Sequence, residues 1–272
     1  MSDEEREPVV SLPPLVTKVA RALHDDHRYF GYGAIKELLG HETYSGVMAM
    51  AVCGRRVSLE DRQMLDDLSV IMSAADARIW PLKLTRLLAS YGGVIAGFAG
   101  GQLCVEGDLI GPWTTRYAAE TLVELRRVIG DRLDDAPFVE AEMKALLQRK
   151  KRLVGYGVPF RQRDERLDAV RVEVTKRGWH LRPFWRLQEA FSLLTRSERN
   201  LGPNLGTGVS ALLLDMGFTV DEVPAMTIFI NQNCFVATAV EGARQKAPIL
   251  RSLPAETVRY VGAPPRKSPR AG

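Results

Sequence analysis

The strongest constraint in this chain is the period of its apolar residues. Along most of its 272 residues they return every three or four positions, and strict alternation at period two is almost absent. "PPLVTKVARALHDDH" opens with prolines suited to a first turn and predicts a helix over residues 13–27. "SLEDRQMLDDLSVIMSAA" begins with Ser58 and has Asp61 three residues later, a variant capping box. It sets Leu59, Met64, Leu65, Leu68, Ile71 and Met72 on one side. "TVDEVPAMTIFINQNCFVATAVEGARQ" starts the same way, with Thr219 and Glu222. "DAVRVEVTKRGW" has the only strand-like alternation, and reads equally as a helix. "IWPLKLTRLLASYGGVIAGFAGGQLCVEG" is apolar on most faces and rich in Gly, Ala and Ser. That predicts a central helix packed on several sides, in the core or at a subunit interface. The fold class expected is all-α.

Composition narrows the function classes. With 46% hydrophobic and 26% charged residues the chain has enough apolar side chains for a sizeable core. A net charge of +4 is a weak argument for a nucleic-acid partner, because acidic and basic residues are interspersed. Cys53, Cys104 and Cys234 lie far apart among apolar neighbours, the pattern of reduced core thiols, and no metal cluster is expected. No apolar run approaches the ~20 residues of a membrane span, and "MSDEEREPVV" has no secretory character. A cytoplasmic protein without a membrane partner is the expectation. Residues 1–12 and 263–272 have too little apolar content to offset ordering entropy, and should be disordered tails.

The order of the segments resembles the citrate synthase and citryl-CoA lyase family. Gly54-Arg55-Arg56-Val57-Ser58 stands for the family's "G-R-x-P-S-x-x-E" turn, and Arg86 to Ser90 for a helix end reading "R-x-x-A-S". "EGDLIGPWTTRYAAETL" falls at the "HGGA" loop, and "KKRLVGYGVPFRQRDERLDAV" at "K-x-I-x-G-F-G-H-P-x-x-K-x-x-D-P-R". "GPNLGTGVSALLLDMGF" parallels "N-V-D-G-x-x-A-A-L-L-x-D-L-G-F", and "MTIFINQNCFVATAVEGARQ" parallels "I-A-R-T-A-G-x-x-A-H-x-x-E". The likeness covers roughly residues 30–245, in order and at consistent spacing. It implies a citrate synthase-like fold with a cleft between two helical lobes. Residues 1–152 and 224–262 would form the large lobe, with 153–223 inserted as the small one.

The resemblance also implies a chemistry. The family joins the methyl carbon of an acyl-CoA to a keto acid, or cleaves that bond. A carboxylate takes the proton, one histidine stabilises the enolate, and another polarises the keto carbonyl. Position by position, this sequence departs from that set. The "HGGA" histidine falls on Ile110, the "G-F-G-H" histidine on Val158 and the base aspartate on Gly206. The histidine beside Asp76 falls on Ala77, the arginine of "I-A-R-T-A-G" on Asn231 and the late histidine on Thr238. Arg166 survives from "D-P-R", preceded by Asp164, with Glu165 for the proline. Losing a general base and two hydrogen-bond donors removes about 9 kcal/mol or more of transition-state stabilisation, so the family reaction should be abolished.

The four histidines read as surface or packing residues. His24 and His27 sit at the end of the first expected helix, His41 follows a turn and His180 lies between tryptophans. The basic run is more suggestive. In the family, the region around "GYGVP" contacts the phosphates and adenine of CoA, and phosphates need only fixed positive charge and backbone amides. Arg152, Gly155, Tyr156, Gly157, Arg161, Arg163 and Arg166 are therefore the candidate CoA-binding or substrate-binding residues. The same residues fit a solvated helix end and a tight turn. Asp164 is the one nearby carboxylate to nominate as a base if the chemistry has been rebuilt. The expected ligand is coenzyme A or an acyl-CoA, with no metal. The expected assembly is a homodimer or a heteromer with a complete paralogue. Three functions follow: a silent family member acting as scaffold or regulator, an enzyme with a rebuilt site, or a basic nucleic-acid-binding protein, which the interspersed acids disfavour.

Overall fold

Several helices below begin at a side-chain cap that the sequence supplies, from Thr43, Ser58, Asp135, Asp164 and Asn204. In a computed structural model of the chain, residues 13, 15–107, 110–158, 163–245, 254–257, 259–264 and 266 are described. The expected tails, residues 1–12 and most of 263–272, lie outside them. The described residues are mainly helical, as the apolar period requires, with only three two-residue strands.

The chain forms two compact units. The first comprises Met1–Ala75 and Val105–Asn233. It starts with an antiparallel sheet of β1 (Ala20–Arg21), β2 (Arg28–Tyr29) and β3 (Tyr32–Gly33), followed by a π-helical turn, Ala34–Leu38. This corrects the expected helix over 13–27. Leu15 and Val16 are 92% and 87% exposed, so an apolar stripe there has nothing to pack on. A short helix without a packed face is marginal, and the hairpin satisfies the backbone instead, with Phe30 N donating to Val19 O.

Next come α1 (Tyr44–Cys53), α2 (Leu59–Ser73), α4 (Pro112–Ile129), α5 (Ala136–Arg149), α6 (Glu165–Lys176), α7 (Pro183–Arg199) and α8 (Leu205–Asp215), with α3 (Trp80–Cys104) belonging to the second unit. The capping box at α2 is present in full: Ser58 Oγ accepts Asp61 N and Asp61 Oδ2 accepts Ser58 N, both at 3.1 Å. The Thr219–Glu222 pair likewise opens α9 (Glu222–Gly242). The ambiguous "DAVRVEVTKRGW" lies largely on α6, whose Leu167, Val170 and Val174 are buried at helical spacing. The core of this unit surrounds α8, nine of whose 11 residues are buried, so it contacts α4, α6 and α7 on different sides.

The second unit comprises Asp76–Cys104 and Cys234–Gly272. It contains α3 (Trp80–Cys104), interrupted at Gly93, whose φ of 85° and ψ of −176° leave the helical region. Arg86 on α3 pairs with Glu241 near the end of α9 at 2.6 Å. The expectation that α3 is a core helix packed on several sides is corrected. Tyr91, Ile95 and Leu103 are 70%, 83% and 76% exposed, because within this unit α3 has little to pack against. A second correction follows. Counted with their small residues, α3 and α9 are long and apolar enough to cross a membrane by length and composition alone. An interface helix or a core helix meets the same test.

Candidate functional site

The "LVGYGVP" turn is fixed by the segment that leads into α8. Gly157 N donates to Gly202 O at 2.7 Å, Asn204 N to Gly155 O at 3.0 Å, and Asn204 Nδ2 to Gly157 O at 3.1 Å. Tyr156 and Pro203 form an isolated antiparallel bridge. Asn204 then caps α8, its Oδ1 accepting Gly206 N at 2.9 Å. Turn and helix start are thus one hydrogen-bonded piece.

Its two glycines serve different ends. Both have φ near +90°, a region L side chains rarely adopt. A Cβ on Gly155 would lie 2.5 Å from Thr207 Cγ2 and 3.2 Å from Ala118 Cβ, so Gly155 permits contact with α8 and α4 rather than with a ligand. A Cβ on Gly157 would meet open space. Tyr156 also turns inward. Its ring stands edge-on to the buried Phe191 at 5.8 Å, its hydroxyl bonds Ser192, and burial holds that hydroxyl well above the ordinary tyrosine range. Gly155 and Tyr156 therefore support the site from behind, whereas ligand contact was expected of both.

Gly157 and Val158 line a cleft of about 630 Å³ with Arg163, Arg196 and residues 200–202, a size typical of ligand sites. Its character is cationic. Arg163 is 74% exposed and pairs with Asp168 at 2.9 Å. Arg196, which sequence reasoning missed, is exposed and makes no ion pair among the described residues; only its place on the last turn of α7, beside Asn200, hinted at it. Arg152 is also exposed and makes no such pair. Arg161 lies outside the described residues. Two other members of the basic run are anchored within the protein: Arg149 and Lys150 both pair with Glu124, at 3.1 and 3.4 Å.

Asp164 is buried, and its oxygens accept Arg166 N, Nε and Nη2 at 3.2, 2.9 and 2.8 Å and Leu205 N at 2.9 Å. Burial alone would raise its carboxyl, but the Arg166 guanidinium and the Leu205 amide overcome that and hold it below the usual carboxylate range. Such a group is a poor proton acceptor at neutral pH. Asp164 is a brace between α6 and α8, and its nomination as a base is corrected on that ground. Arg166 is correspondingly occupied along one edge and does not line the cleft.

The three positions at which the resemblance would put reacting groups have no ionisable side chain. Ile110 precedes Gly111 and α4, Val158 lines the cleft, and Gly206 lies in the first turn of α8. A Cβ on Gly206 would lie 3.0 Å from Asn204 Oδ1 and 3.7 Å from Thr115 Cγ2. Around it is a set of neutral hydroxyls. Thr115 and Thr227 bond through their Oγ1 atoms at 2.8 Å, and Ser210 Oγ donates to Thr115 O at 2.8 Å. All three residues are buried. No long-range sequence signal pairs them, because the hydroxyls come from α4, α8 and α9. His24, His27, His41 and His180 are all exposed. Among the described residues no cluster of three or more His, Cys, Asp or Glu is arranged to hold a metal.

No family model matches the sequence, and no curated protein matches it. Solved structures do. Citryl-CoA lyase from Hydrogenobacter thermophilus superposes with a TM-score of 0.76 at 20% identity, over 94% of this chain and 97% of that one. ATP citrate lyase from Methanothrix soehngenii, determined with citrate and coenzyme A, gives 0.72 at 15% identity, over 95% of this chain but 43% of its own length. A ternary complex of citrate synthase from Thermoplasma acidophilum with carboxymethyl coenzyme A and oxaloacetate gives 0.59 at 13%, over 84% and 59%. The chain therefore has the citrate synthase-like all-α fold, shared with citryl-CoA lyase and ATP citrate lyase.

Proposed function

We propose that this chain is a citrate synthase and citryl-CoA lyase family protein that binds a CoA thioester and has lost the carbon–carbon chemistry, acting as a scaffold or regulatory subunit. One observation carries the reading: Ile110, Val158 and Gly206 stand where the resemblance puts reacting groups and all four histidines are exposed, while the neighbouring cleft has Arg163 and Arg196. Neutral hydroxyls can hydrogen-bond a carbonyl, but they have no acid or base strength near neutral pH to move its α-proton. Fixed arginines still suit phosphate oxygens.

The proposed assembly is a homodimer through the outer face of α3, with a heteromer including a complete paralogue as its variant. The exposed Tyr91, Ile95 and Leu103 on one apolar helix support it, since a soluble monomer rarely leaves such a patch open. The division into a large lobe, 1–152 with 224–262, and an inserted lobe, 153–223, belongs to the same proposal, as does a cytoplasmic location.

The test is calorimetric titration of the purified protein with CoA, acetyl-CoA and citryl-CoA, with NMR observation of deuterium exchange at the acetyl methyl group. Binding without exchange is expected. Arg196→Ala should weaken CoA affinity about tenfold, the effect of one charge-assisted hydrogen bond, without changing the melting temperature. Methyl exchange would establish an active, rebuilt enzyme, and absence of binding would leave a scaffold without a CoA site.

A further inference from the structure

The α7–α8 pair carries a carboxylate for which neither the cleft nor the proposed binding has a use. Asp215 is the last residue of α8, and its oxygens accept Phe184 N at 3.0 Å and Trp185 N at 2.9 Å, in the first turn of α7. Arg182, the N-cap residue of α7, provides no side-chain cap. The start of α7 thus depends on a carboxylate borrowed from another helix, in the place where a helix favours negative charge.

Cations near this carboxylate are turned to other tasks. Arg182 Nη1 donates to the backbone carbonyl of Asp215 at 3.4 Å, its guanidinium lies 3.3 Å from the Trp179 ring centre, and it approaches Glu60 and Asp61 of α2 at 3.8 and 3.7 Å. Arg55, from the turn before α2, donates to Met216 O at 3.0 Å. Arg186, on the first turns of α7, pairs with Asp134 at 2.5 Å. The carboxylate itself is answered by amides.

We propose that Asp215 is a proton-sensitive clasp between the end of α8 and the start of α7, holding two amides when ionised and one when protonated. A carboxylate accepts through both oxygens, whereas a carboxylic acid turns one of them into a donor facing an N–H. The proton exchange falls in an accessible range. Burial pushes the Asp215 carboxyl up to about 6, against the pull of the Phe184 and Trp185 amides and the charge of Arg182.

Two effects of opposite sign follow. The folded-state value lies above the ordinary 3.8, so ionisation disfavours folding, and the contribution of Asp215 to overall stability rises as pH falls from about 6 towards 4. Over the same window the first turn of α7 loses one capping bond, so a local opening in which Asp215 stays buried becomes easier while global unfolding becomes harder. Because α7 carries Arg196 near its other end, the clasp acts on a helix that lines the cleft.

The experiment follows amide exchange at Phe184 and Trp185 by NMR in the full chain, corrected for intrinsic pH dependence, together with urea unfolding at each pH. Protection of these two amides should fall about tenfold between pH 7.5 and 5, with a midpoint near 6. Asp215→Asn, which fixes the neutral form, should show the low-pH exchange at both values. Constant protection, or an unchanged pH response in Asp215→Asn, overturns the proposal. Should that variant not fold, the Asp215 carboxyl-carbon resonance of the unaltered chain decides. Titration near 6 supports the clasp, and full ionisation down to pH 4 overturns it.

Discussion

The helices α8 and α3 are built from the same kinds of residue and have opposite surroundings. Both are apolar and both contain glycines. Yet nine of the 11 residues of α8 are buried, against six of the 25 in α3. The difference teaches that apolar composition specifies a helix that needs cover, but not what covers it. Within its own unit α8 is covered by α4, α6 and α7. In α3, Tyr91, Ile95 and Leu103 keep their apolar faces open.

The comparison breaks most easily at the middle of α8. Leu212→Ala, at a fully buried position, should cost about 2–5 kcal/mol in urea unfolding, the range for cavities left by leucine. A smaller loss would mean that α8 is less enclosed than it stands here. Asp164→Asn should cost about 2–4 kcal/mol, because it leaves the partly buried Arg166 guanidinium with a weaker partner and releases Leu205 N at the start of α8. Its pH signature has a definite sign. The Asp164 carboxyl is held below the ordinary 3.8, so its contribution is present above about pH 4 and lost as pH falls through the lower folded-state value. The acid limb of the stability curve should flatten in the variant.

Two glycine substitutions then sharpen the picture at the start of α8. Gly155→Ala combines a left-handed backbone with a methyl 2.5 Å from Thr207 Cγ2 and should cost about 2–3 kcal/mol. Gly157→Ala meets open space and should cost only about 1 kcal/mol, the backbone share alone. Equal losses would remove the distinction between the buried glycine and the cleft glycine. The smallest effect on folding belongs to α3. Ile95→Ser, at a position 83% exposed, should change the stability of the isolated chain by less than about 0.5 kcal/mol while shifting sedimentation towards monomer. An unchanged sedimentation profile would discard the α3 face as the subunit contact.

Much of the fold was legible from local chemistry. The cap residues Ser58 and Thr219 and the three-to-four-residue apolar period act within one or two turns of chain, and the helices they announced are present. The failures lie where a local pattern lacked a partner. The apolar stripe over 13–27 meets no core, so a hairpin replaces the expected helix. At the candidate site, the side chains of Ile110, Val158 and Gly206 need no coordinates to be recognised as incapable of proton transfer.

The sequence by itself determined the helical class, the capped helix starts such as Ser58 and Thr219, and which side chains stand at positions 110, 158 and 206, because propensity, capping and side-chain chemistry are properties of neighbouring residues. Only the tertiary structure decided that Tyr156 and Gly155 face inward, that Asp164 is tied to Arg166 and Leu205, and that Arg196 joins the cleft. Those outcomes depend on contacts between segments as many as 52 residues apart, Gly155 against Thr207, and a side chain's role there is settled by which atoms reach it first rather than by what it is.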